Sequence, residues 1–446
     1  MRSLIPLLAL TSALTLEAAS TPTAKPVFHK DVAPILQSRC QSCHRPGEVA
    51  PMSFLTYRET RPWAKAIRGA VLAKKMPPWF ADPKYGHFAN DRRLSESEIQ
   101  TLVSWADAGA PEGNPADTPK PLAFVDGWNI GKPDLIIEMP KDFEIPASGT
   151  VNYQHIIVPT GLTEDRWVEA AEIRPGNRSV VHHVIAFTRP PSAKALRTAK
   201  MGDFLDSGGG KKLPKPGEPE PLMFSSGVDI EALQTFAPGV LPTLLKPGQA
   251  RLIKAGSDII FQLHYTSTGK PATDRTRLGI VFSKTPPTER VRHVNVQNFA
   301  FSIPPRVDNY PIEARARLIQ EVKLVSLHPH MHFRGKDFTF RATYSTGESE
   351  ILLSVPRWDF NWQLTYYLEK PKVLPKGTII EIVGHYDNTA NNPANPDPNA
   401  LVLYGEQTWN EMLGGVMDIA HEPGRGSVEL FETVAAPQKT GAAGSN

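Results

Sequence analysis

Two cysteines and thirteen histidines carry most of the chemistry open to this 446-residue chain. Both cysteines fall in one run, Cys40-Gln41-Ser42-Cys43-His44. Two thiols three positions apart can form thioethers to both vinyl groups of a haem, and the adjacent histidine is then held beneath the iron. A zinc site would need two further ligands, and there is no second cysteine pair. A redox-active pair would lie in a βαβ unit, which the pattern does not offer. The spacing therefore predicts a covalent c-type haem attached through Cys40 and Cys43, with His44 as proximal ligand. Met76, in Lys75-Met76-Pro77-Pro78-Trp79, is the expected sixth ligand. Thioether ligation there would raise the reduction potential, as suits electron transfer. Met52 and His87 compete for that place, and packing is the bland role for Met76.

The other chemically suggestive residues cluster in apolar runs further on. His182-His183 sits in SVVHHVIAF, His264 in IIFQLHY, His330-Met331-His332 after LVSLHP, and Met412 in TWNEMLGG. Residues i and i+2 of a strand share a face, so His330 and His332 can grip one ion. His328 could join them, but Pro329 marks an irregular edge. His182 and His183 would point to opposite faces of a regular strand, so joint ligation of one metal demands a bulge or a strand end. Single strand histidines such as His155 and His293 read instead as hydrogen-bonded core residues.

These groups need elements to position them. The first residues read as an export signal: Arg2, an apolar run Leu4–Leu16, then small residues Ala18, Ala19 and Ser20. Signal residues 1–20 would be removed, leaving a periplasmic or secreted protein with no other apolar run long enough to span a membrane. Residues 25–112 read as a small helical domain. Val32, Ile35 and Leu36 keep helical spacing, Pro62 opens a helix carrying Trp63, Ile67 and Val71, and Ser95 with Glu98 forms a capping box before Ile99, Leu102, Val103 and Ala106. Gly109 is the expected stop. A Pro-rich linker, 113–121, follows.

From residue 122 the chain becomes β-rich, with runs at 134–138, 151–158, 167–173, 179–187, 258–265, 277–282, 321–327, 336–344 and 378–383. Pro, Gly and Asn separate them, the pattern of β-sandwiches. An insertion near 189–220 reads as mobile, and 437–446 as a disordered tail. Two cysteines exclude a disulfide scaffold. A formal net charge of +3 excludes the basic surface expected of a nucleic-acid binder.

The helical part resembles class I cytochrome c domains fused to larger periplasmic proteins. The β-rich part resembles the copper type II, ascorbate-dependent monooxygenases, the family of peptidylglycine α-hydroxylating monooxygenase and dopamine β-monooxygenase. The resemblance rests on an ordered set: His182-His183, His264 in QLHY, His330-Met331-His332-Phe333-Arg334-Gly335-Lys336, and Glu411-Met412. It implies two jelly-roll sandwiches, 122–297 and 298–436, each with one copper. By resemblance, His182, His183 and His264 hold an electron-transfer copper, and His330, His332 and Met412 hold the copper that meets oxygen. Imidazole suits copper and a soft thioether favours Cu(I), whereas zinc rarely takes methionine. A blue-copper site would need a cysteine, and the haem takes both.

The family's peptide carboxylate clamp is missing. His328, Gly414 and Val416 stand where an arginine, an asparagine and a tyrosine would. A C-terminal glycine peptide is therefore not the expected substrate; a neutral or apolar one is. The segment 236–250 is placed to help line the cleft. The function so implied is hydroxylation of a C–H bond of a small organic substrate by O2. Electrons would come from a periplasmic donor through the fused haem. The alternative is a non-catalytic haem and copper electron carrier or copper-binding protein, and a zinc hydrolase on the same scaffold is a third reading.

Overall fold

The structure, a computed structural model, describes residues 25–124, 127–196, 198–206, 230–237, 239–240, 242–424 and 430–434. The expected signal residues 1–20, the tail 437–446 and residues 207–220 of the insertion lie outside them. No helix among the described residues is long and apolar enough to cross a membrane.

The first described stretch forms short helices: Ala33–Arg39, Tyr57–Thr60, Ala64–Leu72 and Glu96–Asp107. They bury a small core of Phe28, Val32, Leu36, Ile67, Val71, Leu102 and Trp105. The last helix starts where the sequence says it should. The Ser95 hydroxyl accepts from Glu98 N at 3.2 Å, and the Glu98 carboxylate accepts from Ser95 N at 2.6 Å. Gly109 follows its end at φ +86°, a conformation that only glycine adopts without strain. A second capping box, Thr56 with Glu59, opens the short helix Tyr57–Thr60.

From Leu135 on, the regular elements among the described residues are all β-strands, in sandwich-like layers. One sheet runs through the whole region. Its N-terminal half holds Leu135–Glu138, Arg277–Phe282, Arg166–Arg174 and Gln249–Ile253; its C-terminal half holds Glu289–Asn298, Leu413–His421, Val322–His330 and Tyr366–Leu374. The halves join at a short parallel step, Gln249 and Ala250 against Glu289 and Arg290. A five-stranded sheet containing Gln154–Pro159, Asp258–Tyr265, Val181–Arg189 and Glu231–Phe236 packs on the first half around Val184, Phe261, Leu263 and Leu278. A second five-stranded sheet, containing Gly335–Thr343, Ile379–Tyr386 and Tyr310–Leu318, packs on the other half around Phe338, Phe340, Ile382 and Met417. Strand Glu289–Asn298 pairs along its length with Leu413–His421, so the change from one sandwich to the next falls between Phe282 and Glu289, ahead of residue 297.

The helical unit is clasped to the β-region. Residues 113–121 fold back onto the helices, through Thr118 Oγ1 to His29 Nδ1 at 2.7 Å and Gln37 Nε2 to Lys120 O at 3.3 Å. Further along, Trp79, Phe80 and Ala81 leave the helices and enter the second sandwich's core. The Trp79 ring meets Tyr366 edge-on at 4.9 Å. The Asn90 amide bonds both Thr365 O and Tyr367 N, as an added strand would.

Candidate functional site

Strand Val181–Arg189 supplies the local irregularity that the His182-His183 pair requires. His264 stands opposite His183, but the next residue, Tyr265, pairs with Val181, which leaves His182 in a bulge. The bulge turns both imidazoles toward His264. One nitrogen from each of the three rings lies within 4.8 Å of the others. An ion bonded to all three at about 2.0–2.1 Å would hold those nitrogens roughly 3.3–4 Å apart, so modest ring rotations complete the set. His182 Nε2 and His264 Nδ1 are buried with no hydrogen-bond partner. Burial pushes the His182 imidazole down to about 4 and that of His264 to about 3, and holds His183 far below its usual value. All three are thus neutral, the form that binds metal.

The second set stands on the facing sandwich. Strand Val322–His330 is bulged between Leu324 and Ser326; beyond the bulge it alternates, Leu327 entering the core while Ser326, His328 and His330 face a cavity. The strand ends at His330, and His332 follows in the turn. Each imidazole has its tautomer set from outside. His330 Nδ1–H donates to Gln363 Oε1 at 2.6 Å, and His332 Nδ1–H donates to Asn410 O at 3.3 Å. Each Nε2 is left as a lone pair, and that of His332 is buried without a partner. Glu411 clamps the turn: its carboxylate accepts from His332 N at 2.8 Å and from Arg334 N at 2.6 Å. The next residue, Met412, lines the same cavity and is fixed through its carbonyl, which accepts from Tyr386 Oη at 2.6 Å. Burial pushes the Glu411 carboxyl up to about 8, against the pull of the Arg334, His332 and Met412 backbone bonds and the Arg334 charge.

His182 and His183 of the first set and His330 and His332 of the second line one cavity of about 160 Å³ between the sandwiches. Phe360 stands between them. Its ring stacks on His182 at 4.8 Å and 9°, and meets His332 edge-on at 6.5 Å. Within segment 236–250, Ala237, Val240 and Thr243 line the cavity, as its position implied. The floor is polar but internally paired. Arg251 meets Asp418 at 2.8 Å, and Asp418 also binds His293 Nδ1 and Ser326 Oγ, each at 3.0 Å. At the position of the expected clamp, His328 bonds Thr365 Oγ1 at 3.1 Å, and a Cβ at Gly414 would stand in ordinary contact with Asn295 and His330. His155, expected as a core residue, bonds Gln262.

In the helical unit, Cys43 N and His44 N both donate to Cys40 O, so both thiols and the imidazole project from one turn. His44 Nδ1 is buried without a partner, and Cys40, Met52 and Leu94 each pack against the helical core. Burial and the neighbouring Cys43 push the Cys40 thiol up to about 12, the opposite of a redox-active pair's depressed thiol. This donor set and apolar wall fit a covalent haem. The Met52 backbone bonds the His44 ring, whereas no described contact joins Met76 to His44. His87 is drawn to the β-region, its carbonyl accepting from Glu369 N.

Sequence reasoning missed Gln363, Phe360 and the Arg251–Asp418 pair. Gln363 has a measurable role if His330 binds metal. Gln363→Ala should weaken metal affinity at that set by about 10–100-fold, the usual cost of losing an outer partner of a ligating histidine. Competitive chelator titration would read the change.

No family model matches the chain, and no curated protein matches it. Among solved structures, it aligns with the infectious bursal disease virus VP2 subviral particle at 11% identity. That alignment covers 70% of this chain and 79% of the viral one, with a TM-score of 0.19. T=1 particles derived from the same virus align at 10% identity, covering 68% and 75%, with a TM-score of 0.18. Scores this low establish no shared fold.

Proposed function

We propose that the chain is an exported copper-dependent monooxygenase that hydroxylates a C–H bond of a small organic substrate with O2 and receives its electrons through its own c-type haem. In this reading the helical unit is a cytochrome c domain and the β-region a pair of jelly-roll sandwiches. The observation that carries it is the cavity between the sandwiches lined by His182 and His183 from one histidine set, by His330 and His332 from the other, and by Met412. His182, His183 and His264 would hold one copper; His330, His332 and Met412 would hold the other. The mixed imidazole and thioether set speaks for copper over zinc. Cys40 and Cys43 would carry the haem, His44 would ligate it, and Met76 is the proposed sixth ligand.

When bound, copper beside the methionine would supply oxygen activation, and the trio's copper and the haem would supply one-electron transfer. The chain's own residues do the rest. Gln363 and the Asn410 carbonyl hold protons on the Nδ1 atoms of His330 and His332, so that each Nε2 faces the cavity. Glu411 fixes Met412 to the histidine turn. The Arg251–Asp418 pair neutralises its own charges at the floor, and Glu406 also lines the cavity.

Metal and haem stoichiometry of protein matured with both, read with copper electron paramagnetic resonance, tests the reading. One haem and two type II coppers are expected, with one copper signal lost in Met412→Ala. Absence of copper, or tightly held zinc in its place, would sink the oxygen chemistry.

A further inference from the structure

Besides the contacts of Trp79, His87 and Asn90 with the second sandwich, two connections lead from the Cys40–His44 turn and its helices toward His182, one to the turn ahead of its strand and one to its ring. The first is an ion pair. Glu48, four residues past His44, accepts from Arg178 at 2.7 Å while also meeting Arg45 at 2.9 Å. Arg178 lies four residues ahead of His182 in the turn that leads into its strand. Its guanidinium lies over the Phe236 ring at 5.6 Å, and Phe236 pairs with Val184 of the same strand. At this end Thr266 N bonds Val180 O, which ties in the His264 strand. The second connection is the loop 356–363. Arg357 bonds Lys74 O at 3.2 Å and lies over the Phe80 ring, and three residues on Phe360 stacks on the His182 imidazole. Phe360 meets the other set only edge-on and at longer range.

We propose that the helical unit is a docked one-electron donor to the His182/His183/His264 set, and that the Glu48–Arg178 pair is the contact that holds the donor turn against it. The inference rests on the function proposed above. With both groups bound, the haem held by Cys40, Cys43 and His44 would supply one electron, passing from ferrous to ferric, and the copper held by His182, His183 and His264 would take it, passing from Cu(II) to Cu(I). No bond forms or breaks, and an external one-electron reductant restores the iron. A docked donor passes its electron within the molecule. A merely tethered one would depend on encounters set by its linker, at the lower effective concentration that a tether provides. Arg178 is a positioning residue, since it touches neither metal.

The test uses the full chain carrying haem and copper, oxidised and without oxygen, given less than one electron per chain by a pulse of a radical reductant. Haem absorbance then follows reoxidation as the electron passes on. Reoxidation should be first order and independent of protein concentration. Arg178→Glu should slow it by about tenfold or more, as docking gives way to tethered encounter. Arg178→Lys should stay near wild type, and His264→Ala should abolish the phase while retaining haem. A second readout needs no bound group: in the unloaded chain, Arg178→Glu should speed amide exchange across 43–54. An unslowed phase in Arg178→Glu, a rate proportional to protein concentration, reoxidation persisting in His264→Ala, or unchanged exchange would each overturn the docking role. A chain that binds neither haem nor copper fails earlier, at the function reading, and takes the inference with it.

Discussion

Asp418→Ala should cost the β-region about 3–5 kcal/mol, the range for removing one partner of a buried ion pair and leaving the other charge unpaired. Both sides of the pair are almost fully buried, and the replacement strands Arg251, His293 and Ser326 together. Arg251 stands on a strand of the first sandwich and Asp418 on one of the second, so the pair also pins the two halves on either side of the cavity. At about 2–4 °C per kcal/mol for a unit of 150–250 residues, the thermal midpoint should fall by roughly 6–20 °C. Differential scanning calorimetry of Asp418→Ala beside Asp418→Asn would read it. A loss below about 1 kcal/mol, the level of an exposed pair, would show that the bridge is not holding the halves.

The same carboxylate sets an acid limit. Burial alone would raise its pKa, but the Arg251 charge, followed by the His293 bond, more than offsets that and holds it well below the usual carboxylate range. A carboxyl depressed in the folded state contributes fully above its unfolded pKa of about 3.9, and the contribution is lost as pH falls from there through the folded value. Stability of the wild type should therefore decline below about pH 4. Asp418→Asn should flatten that decline while being less stable at neutral pH. An acid limb identical in the two proteins would remove Asp418 as its cause.

Much of this architecture was legible in the chain. The runs 258–265 and 277–282 form strands with those bounds, because short stretches rich in Ile, Val, Leu, Phe and Tyr set off by Gly and Pro leave little choice. The need for irregularity at His182-His183 followed from side-chain geometry alone, and the bulge lies there. What could not be read is what depends on distant partners. Gln363 and Phe360 sit in a loop without periodicity, and only folding brings them to His330 and His182. Strand Glu289–Asn298 alternates polar and apolar, yet nothing local says that it leaves the first sandwich for Leu413–His421. Trp79 reads as part of the helical unit by position, but its ring is spent in the second sandwich's core, a choice made by Tyr366 nearly three hundred residues later.

Glu411→Ala should uncouple the methionine from the histidines. The carboxylate is fully buried and is the acceptor for two backbone N–H groups, those of His332 and Arg334. Removing it leaves both donors unsatisfied, at about 1–3 kcal/mol each, and opens a small void beside Arg334. Glu411→Gln is milder in volume but offers one oxygen for two donors and turns an amide N–H against the other, so it should keep one bond and lose the second. The loss is local in a useful way, since the trio on the facing sandwich shares no hydrogen bond with Glu411. Copper titration of Glu411→Ala should then show one site held with wild-type affinity and one weakened by about tenfold or more, beyond the overall loss in thermal midpoint. Equal weakening of both sites would mean that the effect is global unfolding of the cleft. No weakening at either would mean that Met412 and the histidine turn do not need the clamp, and the carboxylate would be left with a role in stability alone.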